Sequence, residues 1–167
     1  FGVAYLEEGV LLRQAGIKVP ILVLGGILGD QLPIFLENDL TVTASSIEKL
    51  EIIDRTAKEM GVKAKAHLKI DTGMERLGVH YYSAEELIRK TADCKHVEIE
   101  GIFSHFASAD AADLSFAKLQ LERFYQVIGL FEKHGLPVPL RHMANSGAIL
   151  QMPEAWFDIV RPGIMLY

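Results

Sequence analysis

The sequence predicts an α/β fold, because short apolar runs alternate with amphipathic stretches along the whole chain. Seven of the apolar runs have the length of strands and lie at 1–4, 21–24, 40–44, 62–70, 97–104, 140–144 and 157–160. No low-complexity segment or long linker interrupts this alternation, so we expect one domain over residues 1–167. Strands that alternate with helices pair in parallel, with the helices packed outside the sheet.

Two parallel architectures fit seven strands. One is an open doubly wound sheet, and the other is an incomplete TIM-type (β/α)8 barrel in which strands 2 to 8 are present. A doubly wound sheet usually carries a glycine-rich phosphate loop after its first strand. Here Gly2 is isolated and the pair Gly25-Gly26 lacks a third glycine. This favours the barrel, although the alternation alone leaves both architectures open.

The helices between these strands are marked by capping residues and by an apolar stripe. Ser45 with Glu48, and Ser83 with Glu86, match the spacing of a capping box at a helix start. The longest helix is predicted to begin at Asp113. Its apolar residues recur at spacings of four and three and form one buried face: Ala117, Leu121, Phe124, Ile128 and Phe131.

The composition narrows the class of protein. Half of the 167 residues are hydrophobic and the formal net charge is −5, which argues against nucleic acid or an anionic membrane as the main partner. With one cysteine, no leader and no apolar run of membrane length, we expect a cytoplasmic protein. Because the chain starts without Met and both ends fall in apolar runs, we expect a piece of a longer protein. Four residues are expected in the core: Cys94, Phe103, Phe106 and Trp156.

The run at 62–70 has an unusual second face. Alternate residues from Val62 to Ile70 are apolar, whereas the positions between them are lysines and a histidine. In a barrel the apolar face packs under the helices, so His67 and Lys69 are expected to point into the lumen near the carboxyl end of the strand. Active sites of such barrels gather at that end. The alternative for Lys69 is an ordinary ion pair with Asp71.

Four segments follow successive predicted strands and carry the polar chemistry: HLKIDTGMERLG at 67–78, SHFASAD at 104–110, HMANSGA at 142–148 and VRPGIMLY at 160–167. Together and in this order they resemble the alanine racemase family, and the resemblance covers essentially the whole chain. The first and last segments are specific to that family. The resemblance implies a barrel that binds pyridoxal 5'-phosphate, with a separate C-terminal β-domain and a homodimer in the full-length enzyme.

The resemblance also implies roles for individual residues around the cofactor. Arg161 matches the arginine that faces the pyridine nitrogen, and His105 matches a histidine that lies near the ring and orients that arginine. Ser146, Gly163 and Ile164 match the phosphate cradle, with Asn145 as a supporting residue or as an ordinary helix cap. His142 is expected to be structural.

Two further residues are assigned near the substrate. Arg76 matches the arginine close to the cofactor's ring oxygen and the substrate carboxylate, for which a guanidinium fork is well suited. Lys69 matches a lysine that is often carbamylated in the family, which would turn a cation into an anion able to hold Arg76. No metal site is expected.

The resemblance places the catalytic bases elsewhere. The lysine that holds the cofactor covalently lies on the first barrel strand, and the second base is a tyrosine of the partner subunit's C-terminal domain. Neither motif occurs here, Tyr167 is not that tyrosine, and we expect the isolated chain to be inactive. The implied function is interconversion of L- and D-alanine by two bases, supplying D-alanine for cell-wall peptidoglycan.

Three alternatives remain open. One is a serine-preferring racemase of the same family, and a second is a non-catalytic, single-domain barrel that carries pyridoxal phosphate. The segments at 67–78 and 160–167 argue against the second. A plain α/β barrel without a cofactor is disfavoured by all four segments.

Overall fold

The computed structural model describes residues 1–28 and 30–167 and contains helices that alternate with parallel strands. The strands are β1 Gly2–Val3, β2 Leu22–Val23, β3 Val42–Ala44, β4 Ala64–Asp71, β5 Val79–His80, β6 Val97–Phe103 and β7 Leu140–His142. The helices are α1 Leu6–Gln14, α2 Leu32–Glu37, α3 Ile47–Met60, α4 Ala84–Thr91, α5 Ser115–Lys133 and α6 Ser146–Gln151. Short 3₁₀ turns occupy Tyr81–Ser83, Pro153–Ala155 and Ile164–Leu166.

Neighbouring strands pair in parallel and in chain order. β1 pairs with β2, a bridge from Leu22 to Thr41 leads on to β3, and β3, β4, β6 and β7 follow one another. The short β5 pairs with the end of β4. This order is that of an incomplete (β/α)8 barrel, so the predicted fold class is confirmed and the open doubly wound sheet is wrong.

The predicted strand at 157–160 is reduced to one bridge, between His142 and Ile159. Phe157 has a φ of 50°, which an extended strand does not allow. The carboxylate of Asp158 accepts the backbone N–H of Arg141, where a strand would offer a backbone carbonyl. This side-chain contact accompanies two backbone hydrogen bonds outside a regular strand, from the N–H of Asp158 to the Arg141 carbonyl and from the N–H of Arg161 to the Ala144 carbonyl.

Helix starts differ slightly from the predictions. The cap of α3 is Ser46, whose hydroxyl accepts the N–H of Lys49, so the expected box from Ser45 is wrong. Ser83 does cap α4, but its side chain makes no capping hydrogen bond. The carboxylate of Asp113 accepts the N–H of Ser115, and α5 begins at that serine.

The core lies between the sheet and the helices. Every apolar residue of β4 from Ala64 to Ile70 is buried, as its alternation predicts. Cys94, Phe103 and Phe106 are buried as expected, but Trp156 is 45% exposed, because its indole caps the end of α6 by donating to the Ile149 carbonyl. In the described part of the chain, no helix combines the length and apolarity needed to span a membrane.

Candidate functional site

The eight residues singled out from the sequence line one cavity, which extends along the lumen between the two ends of the strands. It has a volume of about 1690 Å³, above the ~300–1,000 Å³ of an ordinary ligand pocket. Lys69 lies on β4, Arg76 in the loop after it, and His105 directly after β6. The other five lie at the start of α6 or after the Ile159 bridge: Asn145, Ser146, Arg161, Gly163 and Ile164.

Neutral acceptors hold the guanidinium of Arg161. Its Nη1 lies 2.7 Å from Nδ1 of His142, and its Nη2 donates to the carbonyl oxygens of Ser104 at 2.8 Å and Met143 at 3.1 Å. The Cζ atom lies 5.4 Å from the centroid of the Phe103 ring, a cation–π contact. Burial lowers the pKa of Arg161 to about 10, which still leaves the group charged near neutral pH. The arginine is therefore a fixed donor of hydrogen bonds.

The sequence prediction gave His142 no place in the site, although this ring contacts Arg161. It is buried, stacks on Phe103 with 4.7 Å between centroids, and is the closest side-chain partner of Arg161. Its Nε2 lies 2.8 Å from Nδ1 of His67. Burial, with the nearby Arg161 charge, lowers the pKa of His142 to about 2 and that of His67 to about 4. Both rings are neutral at physiological pH.

His105 lies beside Arg161 but holds it less closely than His142 does. Its Nδ1 is 3.4 Å from Nη2 of Arg161. Burial lowers the pKa of His105 to about 4, and the charges of Arg161, Arg76 and Lys69 act in the same direction. His105 is thus a neutral, flat imidazole at the wall of the cavity.

The Ser146 side chain binds the backbone of the loop that contains Gly163. Its hydroxyl oxygen accepts the N–H of Gly163 at 3.0 Å and that of Met165 at 3.3 Å, so the Gly163 amide is already used within the protein. The Asn145 side chain accepts the N–H of Ala148 and caps α6, which is its structural alternative. Ser146 keeps its own hydroxyl proton for a further acceptor.

Lys69 is a buried amine, and no carboxylate of residues 1–28 and 30–167 is in contact with it. Its Nζ donates to the carbonyl oxygen of Ile70 at 2.9 Å and lies 5.3 Å from the Phe103 ring centroid. Burial lowers the pKa of Lys69 to about 7; Asp71 opposes this shift, and Arg161 and other nearby cations add to it. The alternative prediction of an ion pair with Asp71 is wrong.

Asp71 instead shapes the loop that presents Arg76. Its carboxylate accepts the backbone N–H groups of Gly73, Met74 and Arg76 at 2.8 to 3.0 Å. These hydrogen bonds lower the pKa of Asp71 despite its burial. The guanidinium of Arg76 is exposed at the cavity wall, where it can meet an anion.

The Gln120 side chain connects the loop after β4, at Thr72, with the loop after β6, at His105 and Ala107. It lies on α5 and is fully buried; its Nε2 donates to Thr72 Oγ1 at 3.3 Å and to the His105 carbonyl at 3.1 Å. Its Oε1 accepts the N–H of Ala107 at 2.9 Å. A polar residue beside Leu121 in the apolar stripe was the sequence feature that could have revealed it.

Replacing Gln120 by methionine is expected to lower the free energy of unfolding by about 2–4 kcal/mol. The change keeps the volume but removes the partner of two partly buried groups, the N–H of Ala107 and the carbonyl of His105, whereas Thr72 Oγ1 keeps its hydrogen bond with Ser104 Oγ. Each group left without a partner costs about 1–3 kcal/mol. Urea unfolding of the intact protein measures the loss, and amide hydrogen exchange at Ala107 should accelerate.

The matched control is Gln151→Met, because Gln151 is exposed and makes one side-chain hydrogen bond, to the Ala109 carbonyl. We expect a loss below about 1 kcal/mol there. Equal losses for the two variants would contradict the bridging role of Gln120.

Comparisons with known proteins agree with this geometry. The family model described as the alanine racemase N-terminal domain matches residues 1–167. Alanine racemase of Carboxydothermus hydrogenoformans is 44% identical over 167 residues, which cover 100% of this chain and 45% of that protein. Alanine racemase of Methanococcus maripaludis is 40% identical over 166 residues, covering 99% and 44%. The chain thus spans less than half the length of these curated relatives.

Solved structures give the same result. Alanine racemase of Clostridium difficile 630 in complex with cycloserine superposes with a TM-score of 0.94 at 33% identity, covering 99% of this chain and 46% of that one. Alanine racemase of Bacillus anthracis with bound L-Ala-P has a TM-score of 0.90 at 30% identity, covering 99% and 43%. The chain belongs to the alanine racemase N-terminal domain family.

Proposed function

We propose that the protein is a pyridoxal-phosphate-dependent alanine racemase, and that residues 1–167 supply most of its cofactor-binding barrel. The observation that carries this proposal is Arg161, a half-buried cation whose guanidinium is fixed by His142 and two backbone carbonyls at the mouth of the barrel. Family membership and the small molecules bound in the two structural relatives support the same reaction. We further propose a cytoplasmic homodimer that supplies D-alanine for peptidoglycan.

Features of the described residues fit pyridoxal phosphate. The hydroxyl proton of Ser146 can donate to a phosphate oxygen, because the oxygen itself accepts two amides. The amide of Ile164, at the start of a 3₁₀ turn, donates to no backbone atom of the described residues. The contacts of Arg161 with the described residues use Nη2 and one of the two N–H groups of Nη1. The Nε–H and the second Nη1–H are therefore available to donate to a ring nitrogen.

The cofactor, when bound, supplies a ring that withdraws electrons from the α-carbon of an amino acid and so acidifies its proton. Arg161 would donate a hydrogen bond to the pyridine nitrogen without giving up its own proton, because its pKa stays near 10. Arg161 would thereby leave the nitrogen unprotonated, and the weaker electron withdrawal would favour rapid return of the α-proton. Arg76 would bind the substrate carboxylate. The two bases that move the proton are not assigned to residues of this chain.

The direct test is formation of D-alanine from L-alanine by the intact protein with added pyridoxal phosphate, measured with a D-amino-acid oxidase. L-serine in parallel separates the serine-preferring alternative. Cofactor binding without racemisation of either amino acid would favour the non-catalytic carrier and overturn the proposal.

Changing Ser146 to alanine is expected to weaken binding of pyridoxal phosphate by roughly 10- to 100-fold, since a hydrogen bond to a charged group contributes about 1.5–3 kcal/mol. Absorbance titration of the cofactor-free protein measures this affinity. Ser115→Ala, an exposed serine at the start of α5, is the control that should not change it. Unaltered affinity in Ser146→Ala would remove Ser146 from the phosphate site.

A further inference from the structure

His67 lies one hydrogen bond beyond the groups that hold Arg161. It is the second histidine in a line that runs from Arg161 Nη1 to His142 Nδ1, at 2.7 Å, and from His142 Nε2 to His67 Nδ1, at 2.8 Å. His67 is 6% exposed and lines the same cavity. The ring is therefore a buried polar group whose contacts have structural consequences.

The backbone around His67 is shaped to fit its ring. A Cβ atom added at Gly101 would lie 2.4 Å from Nδ1 and Cε1 of His67, so no other residue fits at that position of β6. The pairing of β4 with β6 also changes register between Ala66 and His67. Such irregularities re-aim a side chain and are common next to active sites.

The direction of each hydrogen bond follows from the cation at one end. A guanidinium only donates, so Nδ1 of His142 must be the acceptor and must carry no proton. Because the ring is neutral, its proton is on Nε2. That N–H then donates to Nδ1 of His67, which fixes the proton of the neutral His67 on its own Nε2. Both hydrogen bonds, from Arg161 to His142 and from His142 to His67, can form with only one tautomer of each histidine.

We infer that His67 is a positioning residue for the reaction: by accepting the Nε2–H of His142 it fixes the orientation of that ring, and through it the direction of the Arg161 guanidinium. The inference rests on the proposed function and deepens it. Without His67, the buried Nε2–H of His142 has no acceptor, and the ring can turn away from Arg161. The residue acts through two others and needs no contact with cofactor or substrate.

The test compares two substitutions of similar shape, of which one keeps a hydrogen-bond acceptor and the other does not. His67→Leu fills the space but accepts no hydrogen bond, whereas His67→Asn places a carbonyl oxygen near the former Nδ1 position. In the intact protein labelled with ¹⁵N-histidine, without added cofactor, the His142 Nε2–H proton should give a slowly exchanging NMR signal. A His142→Asn sample assigns it. We expect the signal to disappear in His67→Leu and to return in His67→Asn.

The rate of racemisation should follow the same order. We expect kcat to fall about tenfold in His67→Leu, a size typical of residues one contact away from a functional ligand, and to stay within about threefold of the unsubstituted protein in His67→Asn. Gly101→Ala, which displaces the ring sterically, should reproduce the leucine result although His67 itself is unchanged.

Asp54→Ala controls for stability, because it removes the carboxylate of α3 that accepts the backbone N–H of His96, and Asp54 does not line the cavity. It should lower the free energy of unfolding without changing kcat. A persistent His142 Nε2–H signal in His67→Leu, or equal kcat in the leucine and asparagine variants, overturns the inference. If the unsubstituted protein does not racemise alanine, the proposed function fails, while the NMR comparison still decides whether His67 positions His142.

Discussion

Arg161→Glu is expected to lower kcat for alanine racemisation by about 10²–10³-fold, because it removes a hydrogen-bond donor and also reverses the charge that the site presents to the ring nitrogen. A carboxylate at this position favours a protonated ring nitrogen, as any nearby negative charge favours a bound proton. A protonated ring draws more negative charge from the α-carbon, so the return of the α-proton slows. Steady-state rates in both directions of the reaction measure the effect.

Arg161→Gln separates the charge from the lost hydrogen bonds. Glutamine and glutamate have nearly the same volume, and both lose the fork to His142 and to the Ser104 carbonyl. We expect glutamine to lose only about tenfold in kcat, with the free energy of unfolding of each variant measured beside it. Equal losses for the two would show that Arg161 acts through packing and that it does not set the charge at the ring nitrogen.

The position of the site was predictable because parallel strands end at the same side of a sheet. Lys69 lies on β4 and Arg76 follows that strand, whereas His105, Ser146 and Arg161 come after later strands or bridges. The shared strand direction brings all five to one cavity. The inward direction of Lys69 followed from the period of two in β4. Local pattern and strand order were sufficient for the location of these residues, whereas their roles were implied by the resemblance to the family.

The contacts that hold the site were not predictable in the same way. His67 and His142 are 75 residues apart, and only the folded sheet places their nitrogens 2.8 Å from each other. Gln120 and Thr72 meet across 48 residues, through a helix whose polar position resembles a surface residue. The short-range pattern predicts which face of a strand or helix a side chain occupies. Its contact partner depends on the register between strands and on the close approach that residues such as Gly101 allow.

The environment of Lys69 favours reaction with carbon dioxide. Only a neutral amine attacks CO₂, and a pKa near 7 leaves about half of the Lys69 side chains neutral at that pH, compared with very few for a lysine with an ordinary pKa near 10.4. The Nζ lone pair forms a bond to the carbon of CO₂, one N–H proton leaves to water, and an N-carboxylate anion remains. That anion would be stabilised by Arg161 and Arg76, whose charges disfavour the free ammonium.

We therefore expect the intact protein in bicarbonate buffer at pH 8 to carry the added mass of one CO₂ at Lys69, lost on acidification. Lys65 is the matched control on the same strand, because its ion pair with Asp39 raises its pKa and keeps it charged. Lys69→Met should raise KM for alanine about tenfold, as Arg76 loses its anionic partner.

In CO₂-free buffer the folded pKa of Lys69 near 7 lies below the unfolded value near 10.4. The unfolded state therefore binds more protons between these two pH values, and the free energy of unfolding should rise with pH across that window. Lys69→Met should abolish this rise. No mass gain at Lys69 at saturating bicarbonate, or an equal gain at Lys65, would show that Lys69 remains an ordinary buried amine.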